Sequence, residues 1–260
     1  MHYRIDSPRG KGEKLCYFRD IRTGFATLFA DRFWFPKIVL GGLLLINPVL
    51  LLVLPKSIGG WTQHQSLLLG LLITNVCSFW LALGFTYEVL RRARFGREQL
   101  PEWSGRVLRQ YLREGAVKFT ISLTTLLLPL FAWVATCYGL FVRLLGLPVN
   151  LLSLFIPFGS WLAVPFCAVA CCRWLDGAAV SACALDYREN FRLFWNKRAD
   201  FLIASAFLGG LNAILMSFFY TIPFALFFGL CLVDTWFGPI YASAVEKKPG
   251  SFAPADSPAS

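Results

Sequence analysis

Five long blocks of this sequence carry almost no charge: residues 38–54, 66–87, 119–142, 149–172 and 201–244. About 20 apolar residues, rising about 1.5 Å each, cross a hydrocarbon core of about 30 Å, so each of the first four blocks reads as one bilayer span. The last block holds 44 residues. As one helix it would run about 66 Å, so it must fold back once, around residues 220–223. The expected fold is therefore an all-α integral membrane protein with six spans, near 36–54, 66–90, 119–142, 149–172, 201–219 and 223–244, arranged as three hairpins. Composition agrees: 57% of the residues are hydrophobic, only 15% are charged and the mean hydropathy is +0.58, which excludes a water-soluble globule.

The formal charge of +10 raises the question of a nucleic-acid partner, and the placement of the basic residues answers it. Eight of the 25 Lys and Arg precede the first span, eight lie between the second and third, five between the fourth and fifth, and two follow the sixth. Only Lys56 and Arg143 fall in the alternate loops. By the positive-inside rule this places both termini in the cytoplasm, and no nucleic-acid partner is expected. The expected location is the inner (plasma) membrane, with the first span as targeting signal, because residues 1–34 are basic and contain no apolar stretch suited to a cleavable leader. Residues 246–260, rich in Pro, Ser and Ala, read as a flexible cytoplasmic tail.

Each hairpin is preceded by a cytoplasmic segment with helical periodicity. In residues 105–114, Arg106, Arg109 and Arg113 share one face while Val107, Leu108, Tyr111 and Leu112 occupy the other, the pattern of an amphipathic helix lying at the interface. Phe25, Leu28 and Phe29 form a similar stripe before the first span, and Phe191, Phe194 and Trp195 before the fifth. Aligning Phe25, Val107 and Phe191 also aligns Phe29, Tyr111 and Trp195. Two explanations stand: triplication of one helix-plus-hairpin unit, or independent acquisition of amphipathic periodicity by connectors that hug a membrane.

Phe35-Pro36-Lys37 and Gly41-Gly42 in the first span, residues 84–92 at the end of the second, and Gly96-Arg97-Glu98-Gln99-Leu100-Pro101-Glu102-Trp103 in the next loop form a pattern, with Leu-Pro-Glu-Trp its most distinctive part. Across residues 34–129 it resembles the uncharacterised prokaryotic membrane-protein family catalogued as domain of unknown function 4013. Residues 178–198 look like that family's C-terminal half, extending the similarity over most of residues 17–244. The resemblance implies a multi-pass membrane protein and carries no catalytic residue with it. Physically, Pro101 keeps Leu100 extended and can start a helix, and Trp103 suits a headgroup-level position. Trp34, Trp103 and Trp195 are the expected interfacial anchors.

No phosphate-binding glycine loop, zincin motif or nucleophile elbow occurs, so the expected class is non-enzymatic, with no cofactor. Cys167, Cys171 and Cys172 invite a metal reading, but histidine is scarce and small thiols in apolar sequence serve as helix-packing residues, so no metal is expected. The informative polar residues are those inside spans. Asp234, counted from either end of the last span, lies near its middle, where an ionised carboxylate costs about 2.5 to 3.5 kcal/mol unless it is paired, protonated or wet. Asn47, Asn75 and Asn212 are candidate amide partners. Asp234 then serves either as an interhelical clamp or as part of a transport path. The leading expectation is an interaction or assembly component that offers Arg106, Arg109, Arg113, Arg188, Arg192, Lys197 and Arg198 to anionic lipid headgroups or to a protein partner. The alternative is a transporter of a small solute, ion or lipid with its path near Asp234.

Overall fold

The computed structural model describes residues 16–53, 65–97, 99–149, 152–215 and 221–246. Among them every regular element is helical: α1 (Cys16–Ala30), α2 (Trp34–Val53), α3 (Gln65–Arg94), α4 (Gly105–Cys137), α5 (Leu152–Leu175), α6 (Val180–Leu185), α7 (Tyr187–Asn196), α8 (Arg198–Leu215) and α9 (Ile222–Glu246). A π-helical segment, Tyr138–Leu144, continues α4. Among the described residues, three stretches are long and apolar enough to cross a membrane, Leu72–Arg94, Gly105–Leu144 and Ile222–Val245; Trp34–Ile46 and Ala163–Leu175 are shorter apolar helices.

The last of these helices is the core. α9 packs against α1, α2, α3, α5, α7 and α8, and its Phe227, Cys231, Leu232 and Phe237 are fully buried. α4, by contrast, turns Leu123, Leu127, Leu128 and Phe131 outward, and α3 does the same with Leu69, Leu72 and Ile73. Such contiguous apolar surface is a liability in water and the ordinary exterior of a helix in lipid. α3 and α4 cross with their backbones in contact. A Cβ on Gly84 would lie 1.9 Å from the Tyr111 carbonyl oxygen, and one on Gly115 would lie 1.7 Å from that of Trp80, so only glycine fits either place.

The final apolar block is divided between two helices, α8 ending at Leu215 and α9 beginning at Ile222 with Pro223 in its first turn, and residues 216–220 lie outside the described residues. One expectation is corrected. Residues 105–114 are not a separate interfacial helix but the first turns of α4, which runs unbroken for 33 residues. Nothing between Glu114 and Phe119 stops a helix: there is no proline before Pro129, and Gly115 is held by its contact with α3. At about 1.5 Å per residue α4 is about 50 Å long, roughly 20 Å more than the thickness of a hydrocarbon core, and its basic turns continue the axis of the same helix. The other two segments are separate helices, α1 carrying Phe25, Leu28 and Phe29, and α7 carrying Phe191, Phe194 and Trp195. Residues 1–15 and 247–260, and with them most of the expected tail, lie outside the described residues.

Candidate functional site

Three helices bring one polar side chain each to a common point. Lys118 of α4 places its Nζ 2.6 Å from Asp234 Oδ2 on α9 and donates to Thr86 Oγ1 on α3 at 2.8 Å. The Thr86 hydroxyl in turn donates to the Leu83 carbonyl at 3.0 Å. All three are buried, Asp234 to 4% exposure and Lys118 to 7%. Removing two charges from water costs several kcal/mol each, and close contact with an added hydroxyl acceptor is what offsets it. A turn further along α4, Ser122 meets α5: its carbonyl accepts from Cys167 Sγ at 3.4 Å, and its hydroxyl lies 3.8 Å from Cys171 Sγ. These thiols act as small packing groups between two helices.

A second ionic layer lies one turn from Lys118, about 6 Å along α4 at Glu114. Arg92 Nε donates to Glu88 Oε1 at 3.0 Å, and Arg91 pairs with Glu88 and, at 3.2 Å, with Glu114 Oε1. Arg94 pairs with Asp176 at 3.6 Å and lies over the Tyr241 ring. The Leu-Pro-Glu-Trp loop is bound into this layer. The Leu100 carbonyl accepts from Lys37 Nζ at 3.2 Å and from Arg92 Nη1 at 3.1 Å, and Trp103 Nε1 donates to the Lys37 carbonyl at 3.1 Å. Tyr111 OH donates to the Glu102 carbonyl at 2.9 Å. Lys37 also pairs with Asp31 at 2.6 Å. Burial alone would raise the Asp31 carboxyl, but the Lys37 ammonium and the Phe33 N–H outweigh it and hold it below the usual carboxylate range.

At the end of α5, Arg173 pins the following segment. It donates to Asn190 Oδ1 at 2.7 Å and to the carbonyls of Ala182 and Asp186 at 3.4 Å, and it pairs with the Asp186 carboxylate at 3.2 Å. Asp186 also caps α7 by accepting from the Glu189 N–H at 3.1 Å, and that bond first, then Arg173, lowers its carboxyl.

The outward basic residues are arranged differently. A cleft of about 670 Å³ opens between the first turns of α4 and the end of α5, lined by Arg106, Arg109, Gln110, Arg113, Glu114 and Trp174. All three arginines are exposed, and none has an ion-pair partner among the described residues. A second cleft, about 560 Å³, lies along α7 beside Asp186, Arg188, Phe191, Arg192 and Trp195, and a third, about 260 Å³, beside Arg173, Asp176 and Tyr241. None of the three is lined by Lys118 or Asp234.

The remaining candidates from the sequence are scattered. Asp234 is partnered by a lysine, not by an amide. Asn47 lies on α2 with its side chain outside the described residues, and Asn75 is buried on α3. Asn212 on α8 faces Gly229 of α9, where its Oδ1 would be 2.5 Å from an added Cβ. Arg188, Arg192 and Arg198 are exposed and Lys197 is half-exposed; Arg192 pairs with Glu189, Lys197 lies 4.0 Å from Asp200, and the Arg198 guanidinium sits 4.3 Å from the Trp195 ring centre. Of the expected anchors, Trp195 is exposed and Trp34 is half-buried in edge contact with Phe29 and Phe35. Trp103 is half-buried: it stacks on Phe85 at 4.4 Å with 11° between ring planes and lies beside Phe227, at the α3–α9 contact.

Lys118 and Thr86 join the site without having stood among the sequence candidates. The signal for Lys118 is present in the helical wheel: at about 100° per residue, it falls in line with Val107, Tyr111 and Thr125 and opposite the arginine face, on the inward stripe of α4.

Residues 67–172 match a family described as a protein of unknown function (DUF4013), and the chain resembles that family over this stretch. The match holds α4 and all but the outer ends of α3 and α5, so it includes Thr86, Lys118, the Leu-Pro-Glu-Trp loop and the cleft arginines, and it leaves out Phe35-Pro36-Lys37, Trp174, residues 178–198 and Asp234. No curated protein and no solved structure matches the chain.

Proposed function

We propose that this chain is a multi-pass inner-membrane protein of a prokaryote, with α2, α3, α4, α5, α8 and α9 spanning the bilayer as three hairpins and both termini in the cytoplasm. It acts as a non-enzymatic interaction or assembly component whose basic cytoplasmic end faces anionic headgroups or a protein partner. α1, the first turns of α4, and α7 are the three versions of the segment that precedes each hairpin, as triplication would leave them. The observation that carries this reading is the division among arginines. Arg91, Arg92, Arg94 and Arg173, which face inward, are each tied to a carboxylate, whereas Arg106, Arg109 and Arg113 sit exposed without one among the described residues. Unpaired cations at one end of an apolar helix bundle are suited to meet an external anion.

Lys118 and Asp234 support a second reading, a transport path, because buried ionisable groups inside a membrane are functional by default. Their mutual pairing and the opening of the clefts elsewhere favour the first. Epitope tags placed at Gly60 and at Gly250 in separate versions of the full chain test the topology: external protease should remove only the Gly60 tag, and loss of the Gly250 tag would refute it. Solute or proton flux through proteoliposomes that depends on Asp234 would promote the transporter.

A further inference from the structure

We infer that the cleft between α4 and α5 is a discrete site for one anionic phospholipid, its phosphate held by Arg109 and Arg113 and its glycerol region lying against Trp174. This deepens the proposed function and rests on its placement of this end of the bundle at the cytoplasmic headgroups. Charge balance is the first support. Glu114, the cleft's one acid among the described residues, already accepts from Arg91 at 3.2 Å and from Gln110 at 2.9 Å, and Arg91 and Arg92 together offset Glu88 and Glu114, so the three arginines of the wall have no counter-charge of their own. Arginine guanidinium is suited to bidentate phosphate contact.

The occupant's shape comes from the helix below. Leu127 lies eighteen residues beyond Arg109, and Phe131 eighteen beyond Arg113, about five full turns in each case, so the arginine face continues downward as an apolar one. Leu127 is 54% exposed and Phe131 is 73% exposed. A cationic face that becomes an exposed apolar face along one line of a single helix matches an amphiphile, with its headgroup above and acyl chains below. Neither a soluble phosphate nor an acidic peptide would use the lower half. The aromatic wall is fixed in place, because Trp174 stacks on Tyr87 with ring centres 4.4 Å apart. An indole two residues past the expected end of the fourth span suits the glycerol level.

Native mass spectrometry of the full chain in a non-ionic detergent, titrated with phosphatidylglycerol and separately with phosphatidylcholine, tests this. One phosphatidylglycerol should be retained about tenfold or more in preference to phosphatidylcholine, and Arg109→Gln with Arg113→Gln should weaken it by about tenfold or more, each basic group being worth about 1 kcal/mol near such a charge. The paired change Arg22→Gln with Arg97→Gln, at exposed arginines that line none of the three clefts, should leave it untouched. Equal retention of both lipids, or equal weakening by that control, would mean diffuse attraction and overturn the site while leaving the topology and the basic-face reading standing. Displacement by glycerol phosphate as readily as by the lipid would overturn the lipid as occupant. Melting of each variant is compared with wild type, and if the double variant is less stable the single Arg109→Gln and Arg113→Gln changes carry the test.

Discussion

Breaking the Lys118–Asp234 pair from one side should be far more damaging than removing it altogether. An amide partner for Asp234 would make Asp234→Asn a mild change. The partner is an ammonium at 2.6 Å, so Asn leaves a cation 7% exposed without its counter-charge, and Lys118→Met leaves the carboxylate in the same state. Loss of one member of such a pair costs about 3–5 kcal/mol, while exchange of both for apolar groups of similar volume is about neutral or stabilises by about 1–4 kcal/mol. At about 2–4 °C per kcal/mol for a chain of this size, Asp234→Leu and Lys118→Met should each lower the melting temperature by roughly 6–20 °C. Their combination should melt near wild type, a coupling of at least about 6 kcal/mol by the same figures. The buried thiols of Cys171, Cys172 and Cys231 give a direct readout, since a thiol-reactive dye reaches them only on unfolding of the full chain in mild detergent. A double variant that loses the sum of the two single losses would refute the pairing argument. A double variant that is stable but has lost its cellular phenotype would show that the charges themselves are used.

Two further outcomes follow from packing and from the ionic layer. Gly115→Ala should lower the melting temperature through an overpacking cost of about 1–3 kcal/mol, because its Cβ would meet the Trp80 carbonyl oxygen at 1.7 Å; unchanged melting would mean that α3 and α4 do not touch there. Asp31 has a depressed carboxyl pKa in the fold, so its stabilising pairing with Lys37 is fully present above the unfolded value of about 3.9 and is lost as pH falls through the folded value. Melting measured from pH 6 downward should therefore show the gap between wild type and Asp31→Asn closing below about pH 4, and a gap that stays constant would contradict the pairing.

The apolar blocks announce the helices because a bilayer leaves the backbone few other ways to satisfy its hydrogen bonds. Where the sequence misleads, a local pattern is read without its continuation. The opposed faces of residues 105–114 are real, but the same inward stripe runs on through Gly115, Lys118, Ile121 and Thr125, all buried, so the helix has no reason to end at Glu114. The packing of Trp103 is not readable from its own neighbourhood either: Gly96, with φ of 71°, follows α3, and the Trp103 ring stacks on Phe85 of that helix.

The central pair is hidden for a different reason. Depth counted along one helix places Asp234 by itself, whereas its partner lies 116 residues away on a helix whose lysine is assigned to the cytoplasmic surface by the same logic that orients the chain. The positive-inside count treats all basic residues before a span alike, although those on the packing stripe face neighbouring helices. On α4 the two kinds separate cleanly by angle: Arg106, Arg109 and Arg113 are exposed, and Lys118 is buried against α3 and α9. A basic residue that falls on the apolar stripe of a span therefore predicts a buried acid on another helix, and in this chain the acid available at comparable depth is Asp234. That pairing rule uses only residue type and angle, and it gives an otherwise isolated carboxylate a partner that links α4 to α9.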